Sequence, residues 1–248
     1  MTTKKILVCG LIAVIFALTF VSCPEEDDNG GTDGTGGGKG DLQKWTAVTD
    51  STFGSSYISG IAYGNNRFVA GGNVGKMAYS DDNGVTWTTV ADSTFTSDIS
   101  VIAYGNNRFV AGGASGKMAY SDDNGVIWTA VADSTFGSSD IRGIAYGNNR
   151  FVAVGLDGKM AYSDNGESWT AVSDSTFSSN DNIYSIAYGN NRFVAVGGGG
   201  NIAYSENGSS WTAVTNSKFS FSAINAIAYG NNRFVAGGAS GKMAYADW

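Results

Sequence analysis

Histidine is absent from all 248 residues, proline occurs once and cysteine twice. Without histidine, the chain cannot build a Ser-His-Asp triad, a Cys-His dyad or a histidine-ligated zinc or haem. Charged residues make up only 15% of the sequence, against a usual share of about 25%. Those present sum to a net charge of −7, which argues against nucleic acid as a partner, because phosphate backbones are bound by clustered Lys and Arg. Glycine is plentiful instead, at 36 residues, about twice its ordinary frequency. The aromatic content of 12% and apolar content of 42% exclude a disordered or collagen-like chain.

The N-terminus opens with Lys4 and Lys5 and an apolar run from Ile6 to Val21. That run is too short for a bilayer span of about 20 residues and suits a secretory signal. It ends in Phe20-Val21-Ser22-Cys23, which resembles a bacterial lipobox, with Phe20 where the pattern prefers leucine. The resemblance implies cleavage before Cys23 and a lipid anchor on it, so residues 1–22 are expected to be a lipoprotein signal peptide. Cys9 would be lost with the signal, leaving one cysteine and no internal disulfide. Residues 23–43 run from Glu25-Glu26-Asp27-Asp28 into a Gly/Thr/Asp stretch with nothing apolar to bury, and read as a disordered tether.

Residues 44–248 are one unit copied five times. The string Ile-Ala-Tyr-Gly-Asn-Asn-Arg-Phe-Val-Ala begins at Ile61, Ile102, Ile144, Ile186 and Ile227, at spacings of 41, 42, 42 and 41 residues. Trp45, Trp87, Trp128, Trp169 and Trp211 keep the same beat. A period of this length with apolar residues at i, i+2 is the mark of propeller blades rather than a helical solenoid. In the third copy, strands are expected at 141–146, 150–154, 159–162 and 168–172, the first turn being Gly147-Asn148-Asn149, residues that tolerate the left-handed conformation of a tight hairpin. The expected fold is therefore all-β: a five-bladed β-propeller with four antiparallel strands per blade, 20 in all. The phase of the repeat makes Trp45–Val48 an N-terminal strand that completes the last blade and closes the ring. In the first blade the hairpin is expected to pair Ala70 with Met77 and Phe68 with Tyr79.

The link from third to fourth strand carries the most specific motif. Ser80-Asp81-Asp82-Asn83-Gly84-Val85-Thr86-Trp87 matches Ser-x-Asp-x-Gly-x-Thr-Trp throughout, and Ser121 to Trp128 departs only at Ile127. Ser163 to Trp169 and Ser205 to Trp211 are one residue shorter, and the last copy is cut to Ala246-Asp247-Trp248. Residues 44–248 thus resemble Asp-box (bacterial neuraminidase repeat) propellers, and also the photosystem-assembly-factor type of propeller. The resemblance implies that Asp82, Asp123 and their equivalents hold turns through backbone hydrogen bonds while the tryptophans pack between blades. Sialidase chemistry would need three arginines in one pocket. Arg67, Arg108, Arg150, Arg192 and Arg233 instead share one repeat-equivalent position, and Arg67, Arg108, Arg150 and Arg192 are expected to pair with the acids of their own boxes.

These features favour a non-enzymatic envelope lipoprotein that displays a binding module for a protein or carbohydrate ligand. A structural or assembly-factor scaffold, or a glycoside hydrolase of sialidase-like fold, are the alternatives. No metal or cofactor is expected, and the chain is expected to be a monomer held on the membrane through Cys23, in the outer membrane or on the cell surface. The repeat copies differ mainly at the rim formed by the second turns and the blade-to-blade links. Tyr57, Arg142, Asp157, Tyr184 and Asn225 are the candidate ligand-binding residues there, because they stack on and hydrogen-bond to ligands.

Overall fold

The computed structural model describes residues 45–248; the expected signal peptide, the tether and Cys23 lie outside them. Nineteen strands fall into five antiparallel sheets. The first blade holds β1 (Ile58–Gly64), β2 (Arg67–Gly72), β3 (Met77–Ser80) and β4 (Thr88–Thr89). The second holds β5 (Ile99–Gly105), β6 (Arg108–Gly113), β7 (Met118–Ser121) and β8 (Thr129–Ala130). The third holds β9 (Ile141–Gly147), β10 (Arg150–Gly155), β11 (Met160–Ser163) and β12 (Thr170–Ala171). The fourth holds β13 (Ile183–Gly189), β14 (Arg192–Gly197), β15 (Ile202–Ser205) and β16 (Thr212–Ala213). The fifth has three strands, β17 (Ile224–Gly230), β18 (Arg233–Gly238) and β19 (Met243–Asp247). This is the all-β, five-bladed architecture that the period implies.

Each first hairpin turns on two asparagines with positive φ, such as Asn148 at 48° and Asn149 at 56°, which asparagine tolerates better than most side chains. The second strands of the first four blades are buried on both faces, every residue of β10 after Arg150 being buried, and their side chains meet those of neighbouring sheets. Phe109, Phe151 and Phe193 are fully buried on the second strands, while Phe53, Phe136 and Phe219 on the preceding links are at most 2% exposed. Burying one such ring contributes about 1.5–3 kcal/mol. The first strands pack in sequence, β1 on β5, β5 on β9, β9 on β13 and β13 on β17. A central cavity of about 100 Å³ is lined by Ile61, Ile102, Ile144, Ile186 and the tyrosines beside them.

One contact recurs at each of these four junctions. A Cβ on Gly64, Gly105, Gly147 or Gly189 would stand 2.0–2.1 Å from the ring of Tyr104, Tyr146, Tyr188 or Tyr229 in the next blade. Only a residue without a side chain lets the ring lie flat against that backbone. The fifth blade makes no such junction with the first: a Cβ on Gly230 would meet nothing within 4 Å.

Two expectations are corrected here. Trp45–Val48 forms no strand and does not close the ring: Trp45 is 96% exposed, and the sheet of the fifth blade stops at β19. The two edges do not meet: β17 does not pack on β1 as the other first strands pack on their neighbours, and the socket at Gly230 is empty, so the leading segment has no third strand beside it. The hairpin register is shifted by one, with Phe68 opposite Ser80 and Ala70 opposite Ala78. A wider second turn causes this, since Asn73–Gly75 form a short 3-10 turn with Val74 at φ 56°, and Gly72 N–H donates to the Lys76 carbonyl.

Candidate functional site

The motif at the third turn is built around one carboxylate. Asp82 Oδ1 accepts from the N–H groups of Val85 (3.1 Å) and Thr86 (2.8 Å) and from the Ser80 hydroxyl, while Oδ2 accepts from the Thr86 hydroxyl. The Thr86 hydroxyl, then the other donors, hold this carboxyl at about 2, well below its ordinary value. Asp123 repeats the arrangement; burial pushes its carboxyl up, but the Ile127 N–H and Ser121 hydroxyl outweigh that and leave it lowered. In the third and fourth copies the same place is held by Asn165 and Asn207, whose Oδ1 atoms accept from the two N–H groups that follow. These groups are therefore engaged in shaping turns. The tryptophan closing each motif donates its indole N–H to the motif's glycine carbonyl, as Trp128 does to Gly125 at 3.0 Å.

The five equivalent arginines are held on two or three sides. Each pairs with an acid fourteen residues on: Arg67 with Asp81, Arg108 with Asp122, Arg150 with Asp164, Arg192 with Glu206 and Arg233 with Asp247. The first four pairs are those expected from the sequence, and Arg233 with Asp247 extends the pattern to the last blade. Arg67, Arg108, Arg150 and Arg233 also lie 4.2–4.4 Å from the ring centres of Tyr79, Tyr120, Tyr162 and Tyr245. Arg67, Arg108 and Arg150 further reach the next blade, their Nη1 atoms donating to the carbonyls of Asn124, Asn165 and Asn207. Such partly exposed ion pairs contribute roughly 0–1 kcal/mol each, so the role of this ring is to clip blades together.

On the opposite rim, Arg142 in β9 is exposed and its Nη2 lies 3.0 Å from Asp140 Oδ2. Tyr184 in β13 is half-buried, and Asn225 in β17 is exposed. These three occupy equivalent places, at the bulge where each first strand slips register against the second. Asp157, in the second turn of the third blade, accepts the Ser139 hydroxyl at 2.6 Å, and its N–H donates to Asn182 Oδ1. Tyr57 precedes β1 and is 76% exposed, on the side where the fifth blade does not reach. The five candidates share a rim but not one pocket. Asp157 lines a groove of about 350 Å³ along its own blade with Thr135, Lys159, Asp174 and Phe177, while the central cavity is lined by other residues.

The sequence reading missed one set of bridges. Asp98, Asp140 and Asn182 each accept a backbone N–H from the turn of the preceding blade, at Val74, Ser115 and Asp157. Their shared place in the repeat, always Asp or Asn where the bridge exists, is the signal that could have found them. Among the described residues, no group of three or more His, Cys, Asp or Glu is placed to hold a metal ion.

A family model described as the DUF6242 beta propeller domain matches residues 25–150. No curated protein matches the chain. Among solved structures, one described as YCF48 bound to D1 peptide is 18% identical, with a TM-score of 0.61, covering 82% of this chain and 67% of its own. A computationally designed protein, Ika8, is also 18% identical with a TM-score of 0.61, covering 77% of this chain and 58% of its own. At that identity, these likenesses show the fold alone.

Proposed function

This chain belongs to the family of DUF6242 beta propeller domains, and we propose that it is a non-enzymatic binding module whose ligand is a protein segment. The observation that carries the reading is how the charged groups divide. The repeated arginines and the motif aspartates are tied into turns and blade junctions. Exposed Tyr57, Arg142, Asp157 and Asn225, with half-buried Tyr184, stand where the copies differ. Aromatic, guanidinium and amide groups on an open rim suit a peptide backbone and its side chains. A propeller of this fold, YCF48, has been solved bound to D1 peptide, which supports a peptide as the class of ligand here.

The Asp-box reading of the turn motif and the lipoprotein reading of the N-terminus complete the proposal. Cys23 carries lipid, residues 24–43 act as a tether, and the propeller is displayed from the outer membrane or the cell surface. The test is a library of extended peptides and a glycan array, both probed with this chain. Peptide binding that weakens at least about tenfold in the Arg142→Ala, Tyr184→Ala double variant supports the assignment. Binding confined to glycans, or peptide binding indifferent to both substitutions, would overturn it.

A further inference from the structure

The two ends of the arc carry opposite halves of a junction that the chain makes four times within itself. The sockets at Gly64, Gly105, Gly147 and Gly189 are filled by tyrosines of the next blade, whereas a Cβ on Gly230 would meet nothing within 4 Å. Its complement is Tyr63 on the first blade, which is 40% exposed. A second contact repeats the pattern. Val69, Val110 and Val152 lie against the motif glycines of the next blade, Gly125, Gly166 and Gly208, and are buried completely. Val235 is 39% exposed, and nothing stands within 4 Å of a Cβ on Gly84. A third is polar: Arg67, Arg108 and Arg150 donate to Asn124, Asn165 and Asn207 of the next blade, which leaves Arg233 at one end matched to Asn83 at the other.

The edge strand tells the same story. In complete blades the fourth strand covers the third, with Val90, Val131, Val172 and Val214 donating to the carbonyls of Met77, Met118, Met160 and Ile202. Met77, Met118 and Met160 are at most 3% exposed, but Met243 on β19 is 74% exposed. Along the uncovered β19 runs an apolar groove of about 160 Å³, lined by Val214, Phe234, Ala244, Tyr245 and Trp248 among others. Trp248 packs on Phe234 and Tyr204 there, at ring distances of 5.8 and 5.1 Å. The text that fills the equivalent grooves, Trp-Thr-Ala-Val at 128–131, 169–172 and 211–214, also stands at Trp45–Val48, and Trp45 is 96% exposed.

We propose that the fifth blade receives the first blade of a second copy of this chain, whose Trp45–Val48 becomes its fourth strand. Spacing couples the two contacts: Trp45 precedes Phe53 by eight residues, as Trp169 precedes Phe177 and Trp211 precedes Phe219. A docked Trp45–Val48 therefore brings its own blade alongside, and Trp45 displaces Trp248 from the groove. Joining two copies repeats the junction that the chain already makes four times. The contact is head-to-tail, so it leaves each pair with two further ends and either closes a ring of chains or propagates. It replaces the monomer expected from the sequence.

The test is a cross-linking experiment on the full chain with Cys9 and Cys23 changed to serine. One tagged chain carries Ala47→Cys and a differently tagged chain carries Ala244→Cys. These positions correspond to Ala171 and Ala161, and to Ala213 and Ala203, which are direct strand partners and so within reach of a disulfide. The expected result is a disulfide-linked pair bearing both tags, reduced roughly tenfold by Gly230→Ala, which blocks the socket, and by Trp45→Ala. Absence of the doubly tagged species overturns the proposal. So does a chain carrying both cysteines that cross-links only within itself, which would be ring closure instead.

Discussion

Replacing Gly105 with alanine isolates the junction between blades. The added Cβ would stand 2.1 Å from Cγ of Tyr146, and 2.4 and 2.5 Å from its two Cδ atoms. Carbon atoms rest at about 3.5–4.0 Å, so the ring must retreat by about 1.5 Å. It is hemmed in alongside by Phe151, its cross-strand partner, at a centroid distance of 4.6 Å. Overpacking of this kind costs about 1–3 kcal/mol, and a ring met head-on belongs in the upper half of that range. Alanine in place of a strand glycine returns about 0.5–1 kcal/mol through the unfolded chain. The net loss is about 1–2 kcal/mol, or roughly 2–8 °C in Tm for a domain of this size. Gly230→Ala is the internal control, because its Cβ meets nothing and only the entropic gain remains. Thermal melts followed by tryptophan fluorescence, on dilute protein, should show Gly105→Ala falling and Gly230→Ala level or slightly raised. Equal melting of the two variants would refute the socket as the element that spaces the blades.

Four further outcomes follow from the same contacts. Asp82 has a folded pKa of about 2 against an ordinary 3.8, so its contribution is complete above pH 4 and fades as the pH falls toward 2; Asp82→Asn should lower the melt at neutral pH and flatten the acid part of a stability-against-pH curve. Phe136→Ala empties a fully buried site and should cost about 3–5 kcal/mol by urea denaturation, whereas Phe221→Ala, at a residue 92% exposed, should fall within about 0.5 kcal/mol of the parent. Asp140→Ala removes the acceptor for the Ser115 N–H and the partner of Arg142, and should lower stability by about 1–2 kcal/mol. Cys23→Ala should shift the protein from the membrane to the soluble fraction on cell fractionation, and an unchanged membrane fraction would count against the lipid anchor.

Five copies in one chain made most of the fold legible. Isoleucine, tryptophan and the Asn-Asn turn recur at fixed spacing, so strand order and the arginine–acid pairs could be read from one blade and transferred to the rest. What stayed hidden depends on distances between blades. Whether Trp45–Val48 reaches the edge of β19 depends on how five blades add up around the axis, and no single blade encodes that as a pattern. Register slipped by one because Val74, a β-branched residue, adopts a positive φ that sequence rules assign to glycine or asparagine. Asp98 and Asp140 looked like surface acids because their acceptors' partners, the N–H groups of Val74 and Ser115, are backbone atoms and leave no trace in composition. The rim candidates come from different blades, and no pattern within one copy could say that they do not share a pocket.

The interchangeable socket has a genetic consequence. Every blade offers a glycine backbone on one flank and a tyrosine ring on the other, and copies of 41 or 42 residues are alike enough in text to misalign during recombination. An unequal exchange between two of them removes or adds one whole unit. The new neighbours meet through the same glycine and tyrosine, and the ends of the arc are the same two surfaces as before. The number of blades can therefore change in a single step without any junction having to be reinvented, so length variants of this chain should differ by whole blades rather than by fragments of one.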